Sequence, residues 1–247
     1  MNEPWKIAAV GTLGGVILSV TLIFCATTLG LLPARVSDSS IHDYLVSHPQ
    51  VLVEAQDALN ASNAVAELKN QQAGVDKLGI KTFFDTKIAF VTGPADAKNT
   101  VVEFFDYNCP FCRASAPEFE KFYQAHLKDT RFAFVEFPIK GPESEMAAHV
   151  ALAARNQPDK YLALHFSLMK EESLIDESIV YATAQKVGLD GAKISTDLKK
   201  SAVEDTLNAT IALAGKVGII GTPTYIVNGK LVSGALKPGE LEMLLKS

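Results

Sequence analysis

Cysteine is scarce in this chain: three residues in 247, at Cys25, Cys109 and Cys112. Histidine is thin as well, with five scattered residues and no His-rich or Met-rich tract. These shortages exclude a metal-rich protein and leave no structural zinc set, which needs four ligands, often as two paired knuckles. There is one CxxC and no second, and His126 and His149 are not at knuckle spacing. Runs of Lys or Arg are missing and the net charge is −5, so no basic surface for nucleic acid is expected. Internal repeats and low-complexity tracts are also absent.

What is present begins with a long apolar run. Residues 7–32 carry no charge and lie between Lys6 and Arg35. About 20 apolar residues span a bilayer core. The run is longer than a signal-peptide core, and "LLPARVS" is a poor cleavage site. Residues 1–35 are therefore expected to be an uncleaved membrane anchor. Within it, Cys25 follows Phe24, which is not the small residue of a lipoprotein site, so Cys25 reads as a small apolar residue of a membrane helix. Gly11 and Gly15 form a GxxxG, which lets two membrane helices approach closely. The balance of basic residues leans slightly toward an N-terminus in the cytoplasm.

A polar linker, "PARVSDSS", leads to a helical stretch at about 41–71. Ser39 or Ser40 can cap it, and Asp43 lies in its first turn. His48-Pro49 should break it into two helices. Leu45, Leu52 and Leu59 recur every seven residues. Residues 36–86 thus read as a helical extension outside the main domain, with self-association as one use of the stripe.

From Ile88 the pattern changes. "IAFVTG" and the strongly apolar "NTVVEFFDY" read as strands, a helix follows from Pro110 to about Lys128, and "RFAFVEFPI" is a third strand. Strand, helix, strand implies a parallel pair with a crossover. Residues at about 141–218 then read as several amphipathic helices with Gly and Pro at the joints. "TPTYIVNGKLVSGAL" is a hairpin with Asn228-Gly229 as its turn, and a helix closes the chain. The fold class expected for 87–247 is an α/β sheet interrupted by a helical block.

The chemistry is concentrated in "VVEFFDYNCPFC". The cysteine pair follows a buried strand and opens a helix. Cys109 therefore meets the free N–H groups and dipole of a helix N-terminus, which favour a thiolate. Pro110 takes the first helical position, where no N–H is needed. Cys112 lies one turn further in, close enough to attack a mixed disulfide on Cys109. A merely structural disulfide across so short a loop would contribute little, and CxxC beside a βαβ pattern is a redox signature. Glu103, on the preceding strand, is a candidate proton relay for Cys112. Thr222-Pro223 opens a strand in "GTPTYIVNG"; were that bond cis and facing the cysteines, the Thr222 backbone would pair with an extended substrate by strand addition.

"EFFDYNCPFC", a helical block and then "GTPTYIVNG" resemble the DsbA-like thioredoxin-fold oxidoreductases over roughly residues 88–247. "IHDYLVSHPQVLVEAQDAL" resembles the helical extension of ScsC-type proteins and related outer-surface proteins. The resemblance implies a thioredoxin fold with an inserted helical domain, facing the periplasm from the bacterial inner membrane and acting on cysteine-containing proteins without a cofactor. It implies Cys109 as nucleophile, Cys112 as resolving cysteine, Glu103 as buried acid and Pro223 as cis-proline. It also implies a membrane or soluble partner that recycles the cysteines, and in several ScsC-type members the extension makes trimers. One departure stands out. Phe111 occupies the position where strongly oxidising relatives carry His, and Thr222 resembles the isomerase branches. Both shift the expectation toward isomerase or reductase work, and Pro110 and Phe111 are the residues expected to tune the redox poise. Two other readings compete. One is Cu(I) binding by the two thiolates. The other is a cysteine hydrolase using Cys109 with His149 or His165, although both histidines sit in apolar helical patterns and read as core or helix-surface residues.

Overall fold

The serine-rich stretch before Ile41 starts the first helix. In the computed structural model, which describes residues 37–246, α1 spans Asp38–Ser47. Its cap is Ser37, two residues earlier than Ser39. The Ser37 side chain accepts from the Ser40 N–H, and the Ser40 side chain accepts from the Ser37 N–H, a reciprocal capping box. The helix stops at His48-Pro49, and α2 runs over Gln50–Leu78. The chain divides into two compact units, with the boundary between Ala61 and Ser62. In the first unit, Ile41, Tyr44, Leu52 and Leu59 are each about half exposed. Among the described residues no helix is long and apolar enough to cross a membrane. The run at 7–32 expected to be the anchor, with Cys25, Gly11 and Gly15, lies outside the described residues.

The second unit begins inside α2, so the last turns of that helix and the 3-10 turn Ile80–Phe84 are integral to it. Gln71 and Val75 of α2 are buried, as are Phe83 and Phe84. Gln71 Nε2 donates to the Gly218 carbonyl at 3.0 Å. Gln72 Nε2 donates to the Gly229 carbonyl at 2.8 Å, and its Oε1 accepts from the Leu231 N–H at 2.8 Å. Gly74 permits this approach: a Cβ there would lie 2.7 Å from the Val217 carbonyl oxygen.

Five strands follow: β1 (Phe90–Thr92), β2 (Asn99–Phe105), β3 (Thr130–Glu136), β4 (Thr224–Val227) and β5 (Lys230–Ser233). Their order in the sheet is β1-β3-β2-β4-β5. The central pair β2 and β3 is parallel, joined by the crossover helix α3 (Pro110–His126). All other pairings are antiparallel. Between β3 and β4 the chain leaves the sheet for five helices: α4 (Pro142–Ala154), α5 (Pro158–Met169), α6 (Glu177–Lys186), α7 (Gly191–Asp197) and α8 (Ser201–Val217). The β4–β5 turn places Asn228 at φ 50° and Gly229 at φ 85°, the left-handed pair that a two-residue hairpin requires. The last helix, α9, spans Glu240–Leu245.

Successive strand residues face opposite sides, and this alternation builds two cores. Val102 and Phe104 of β2 pack with Ala133, Val135 and Ile226 against Val75, Phe83, Leu213 and Val217. Val101 and Phe105 face the other side, with Phe132, Phe134 and Tyr225, under α3 and the inserted helices. Glu103 lies between Val101 and Phe105. It therefore points into the second of these cores, toward the helix that carries the cysteines.

Candidate functional site

The redox loop is built outward from the end of β2. Asp106 is buried, and its carboxylate takes four donors. Oδ1 accepts from the Asn108 N–H and the Ser144 hydroxyl, both at 2.7 Å. Oδ2 accepts from the N–H groups of Ile139 at 2.6 Å and Lys140 at 2.8 Å. Asn108 continues the clamp. Its Oδ1 accepts from the Ile175 N–H at 2.8 Å and from Arg113 Nη2 at 2.9 Å, and its Nδ2 donates to the Ile175 carbonyl at 3.0 Å. The loop is thus tied to the first turn of its own helix through Arg113, to the segment after β3 and to the inserted block before the first cysteine is reached.

Cys109 is the N-cap residue of α3, with Pro110 in the first turn. Both cysteines are free and buried. The Thr222-Pro223 bond is cis, and the Cys109 thiol donates to the Thr222 carbonyl at 3.1 Å. The two sulfurs differ sharply in acidity. The Cys112 thiol bonding to the Cys109 sulfur is the largest influence on Cys109, followed by burial, which opposes it. The Thr222 side chain and the Cys112 and Phe111 amides add to the lowering, and the net result is a pKa moved from 9.0 to about 5. The Thr222 hydroxyl has no partner while the sulfur is protonated, so it is available to the thiolate. Cys112 goes the other way: burial first, then its bond to Cys109, push its thiol far above the usual range. One sulfur is a ready thiolate at neutral pH and the other holds its proton.

Glu103 is buried, 3% exposed, and does not face solvent. Burial raises its pKa to about 8, and a hydrogen bond from the Tyr225 hydroxyl at 3.4 Å pulls in the opposite direction. Glu103 and Cys112 each perturb the buried Tyr225, so all three share one pocket of the core. Phe111, by contrast, is 60% exposed, and its ring stands at the surface between the cysteines. Leu174, next to the Ile175 that holds Asn108, and Ile220, on the groove beside Thr222, are also largely exposed. A groove of about 220 Å³ runs past Thr222 and Pro223, walled by Glu67, Gln71, Ile220 and Ser233.

Of the residues expected from sequence, Cys109, Pro110, Phe111, Cys112, Thr222 and Pro223 converge at one end of the sheet, and Glu103 lies beneath them. His149 does not join them: it pairs with Glu204 at 3.0 Å on the inserted block. Two neighbours, Asp106 and Tyr225, are not picked out by the sequence, and neither is the place of a third, His165. Asp106 and Tyr225 lie inside the quoted motifs. Strand alternation would have found Tyr225, because it is the register partner of Glu103 in β4. His165, which reads as a core histidine, is buried and lies 3.7 Å from Glu103.

Residues 100–246 match the model of the DSBA-like thioredoxin domain. Residues 39–66 match that of the copper resistance protein ScsC N-terminal domain. Disulfide bond formation protein D of Bacillus subtilis is 31% identical over 155 residues, 58% of this chain and 68% of that protein. A thioredoxin-like oxidoreductase from Silicibacter pomeroyi superposes with a TM-score of 0.61 at 38% identity, over 66% of this chain and 93% of that one. The structure of Proteus mirabilis ScsC in a transitional conformation superposes with a TM-score of 0.62 at 28% identity, over 84% and 93% of the two chains. The first curated relatives are Na(+)/H(+) antiporters, and this chain spans about a quarter of their length, 24% for that of Herminiimonas arsenicoxydans. With its sheet, its inserted helices and its profile match in agreement, the chain belongs to the family of DsbA-like thioredoxin-domain proteins.

Proposed function

We propose that this protein is an extracytoplasmic thiol–disulfide oxidoreductase that acts on cysteine-containing proteins through Cys109 and Cys112. The observation that carries this reading is geometric: Cys109 caps the N-terminus of α3 and donates to the carbonyl of Thr222 in the cis Thr222-Pro223 pair, with Cys112 buried one turn behind, an arrangement that lowers the pKa of the first thiol and raises that of the second. A thiolate attacks and leaves well, and a buried thiol can resolve the mixed disulfide only when its proton is removed. Cys109 is the attacking sulfur, Cys112 the resolving sulfur and Glu103 the group that takes and returns the proton of Cys112. Thr222 and Pro223 present backbone to an extended substrate, with Pro110 and Phe111 tuning the poise. An extracytoplasmic site suits a pair that must cycle through its disulfide, since the cytosol keeps thiols reduced, and the charge-free run at 7–32 supports a tethered form. The apolar stripe of α1 and α2 supports self-association, and with it isomerase work. The Cu(I) alternative suits this site poorly. Both thiols must lose their protons to bind a metal, and burial opposes that at Cys112.

The test is trapping. Cys112→Ser should accumulate mixed disulfides when its Cys109 thiolate attacks disulfide-bonded substrate proteins and expels one substrate thiolate, and Cys109→Ser should accumulate none. Adducts formed through Cys112, or multiple turnovers by Cys112→Ser at the native rate, would overturn the assignment.

A further inference from the structure

Glu103 of β2 and His165 of α5 meet in the core with little else to satisfy them. Both are almost wholly buried. Glu103 Oε1 has the Tyr225 hydroxyl, but Oε2 has no hydrogen-bond partner, and neither has His165 Nδ1. His165 Nε2 faces Glu103 Oε2 at 3.7 Å. The imidazole is boxed in by Phe105, Tyr107, Phe134 and Phe166. Burial keeps it neutral by pushing its pKa down to about 3. A neutral ring carries one N–H. On Nδ1 that N–H would be an orphaned buried donor, which is costly; on Nε2 it faces the free carboxylate oxygen across 3.7 Å, a gap slightly longer than a hydrogen bond that a shift of a few tenths of an ångström would close when the carboxylate is charged.

We propose that His165 is a positioning residue for Glu103, whose Nε2–H steadies the carboxylate each time it gives up its proton and so keeps it able to exchange protons with Cys112. This rests on Glu103 serving Cys112, as argued above. In closure, the Cys112 thiol passes its proton to the Glu103 carboxylate, and the Cys112 sulfur attacks Cys109 Sγ. The bond between Cys109 and the substrate breaks, the Cys109–Cys112 bond forms, and the substrate leaves as a thiolate. The substrate sulfurs gain the two electrons that the cysteine pair loses. In the opposite direction Cys112 is expelled as a thiolate and Glu103 returns the proton.

The other groups around the carboxylate do not supply this donor. Tyr225 comes from β4 and is already on Oε1. Tyr107 and Tyr161 donate to Glu136 of β3, each at 3.1 Å. All three tyrosines are pushed well above the usual phenol range by burial, so none titrates with Glu103. Cys112 of α3 is the proton's donor and destination. Among the described residues no other group reaches Oε2.

The test compares the full-length protein with His165→Phe, which removes the donor, and His165→Gln, which keeps one. Carbon-13 NMR of the Glu103 carboxyl in the reduced protein reads its titration directly. The midpoint should rise by about one pH unit in His165→Phe, the lower end of the worth of a hydrogen bond to a charged group because the contact is long, and should return most of the way in His165→Gln. Oxidation by glutathione disulfide, quenched in acid and resolved by mass spectrometry, separates glutathionylated Cys109 from the closed pair, and the pH profile of closure should shift in parallel. Superimposable Glu103 titrations, or a shift in His165→Gln as large as in His165→Phe, would overturn the inference. Nitrogen-15 spectra of native His165 test it with no variant at all: a proton on Nε2 supports it and a proton on Nδ1 refutes it. Glu103→Gln keeps the two readings apart. Closure with the native pH profile in that variant would defeat the relay role of Glu103, while the Glu103 titration still judges His165.

Discussion

Replacing Cys112 by Ala removes the strongest single influence on the Cys109 thiolate and leaves its other donors in place. In the native site, the Cys112 thiol outweighs the opposing burial, the Thr222 side chain and the two amides. A hydrogen bond to a charged group is worth about 1.5–3 kcal/mol, and a thiol is a weak donor, so the lower end applies. About 1.5 kcal/mol is about one pH unit. The Cys109 pKa should therefore rise from about 5 to about 6 in Cys112→Ala. Thiolate absorbance near 240 nm, followed across pH, gives the value in each protein. A midpoint that stays at 5 or below would show that the helix terminus and the amides alone hold the thiolate. The same shift governs stability. Because the folded-state value is depressed from 9.0 to about 5, the contribution is complete above pH 9 and is lost as pH falls through 5. At pH 7 two of the four units are realised. Discounted for screening at a site open to substrate, this is about 2 kcal/mol in favour of the reduced fold, or about 45 mV toward a more oxidising disulfide.

Phe111→His exchanges an exposed ring for a cation beside the thiolate, so the oxidised protein, which has no thiolate, should change in stability by no more than about 0.5 kcal/mol. The disulfide should become more oxidising by about 20 mV, the equivalent of about 1 kcal/mol, measured by equilibration with glutathione; an unchanged or lower potential would refute the tuning role. Glu103→Gln should flatten the pH dependence of folding. The native carboxyl, raised from 4.5 to about 8, stabilises the fold fully below pH 4.5 and loses that contribution as pH rises to 8, so the variant should gain about 3 kcal/mol on the native protein between pH 5 and pH 8 in urea titrations, and parallel curves would count against the buried acid. Deleting residues 37–61 should leave the second unit folded and lower reactivation of scrambled ribonuclease if the extension assembles copies of the chain. Deletion through residue 86 should unfold it, because Val75, Phe83 and Phe84 leave with the segment.

Much of this architecture is legible in the residues. The switch from helical to alternating pattern at Ile88, the Asn228-Gly229 turn and the Gly and Pro joints mark the sheet and an inserted block, expected at 141–218 and observed as helices between Pro142 and Val217. The cysteine pair announces itself because a helix start gives its spacing a chemical meaning. Other features hide for identifiable reasons. The second unit claims α2 from Ser62 onward through Gln71, Gln72 and Gly74, two polar residues and a glycine, which no apolar periodicity would reveal as a docking face. The pairing of His165 with Glu103 joins a strand to a helix of the inserted block, and no local pattern can encode such a contact. Asp106 looks like a loop acid until its four donors are seen together.

That carboxylate has a mechanical meaning. It gathers donors from the redox loop, from Ile139 and Lys140 beyond β3, and from Ser144 in the first turn of α4. The outgoing junction between sheet and inserted helices is thus riveted to the segment that carries Cys109. The returning junction is held separately: Gln71 of α2 donates to the Gly218 carbonyl and Ile219 is buried before the chain reaches Thr222. One carboxylate therefore holds the redox loop, the exit from β3 and the first inserted helix as a single body, so a substitution at Asp106 would loosen all three together.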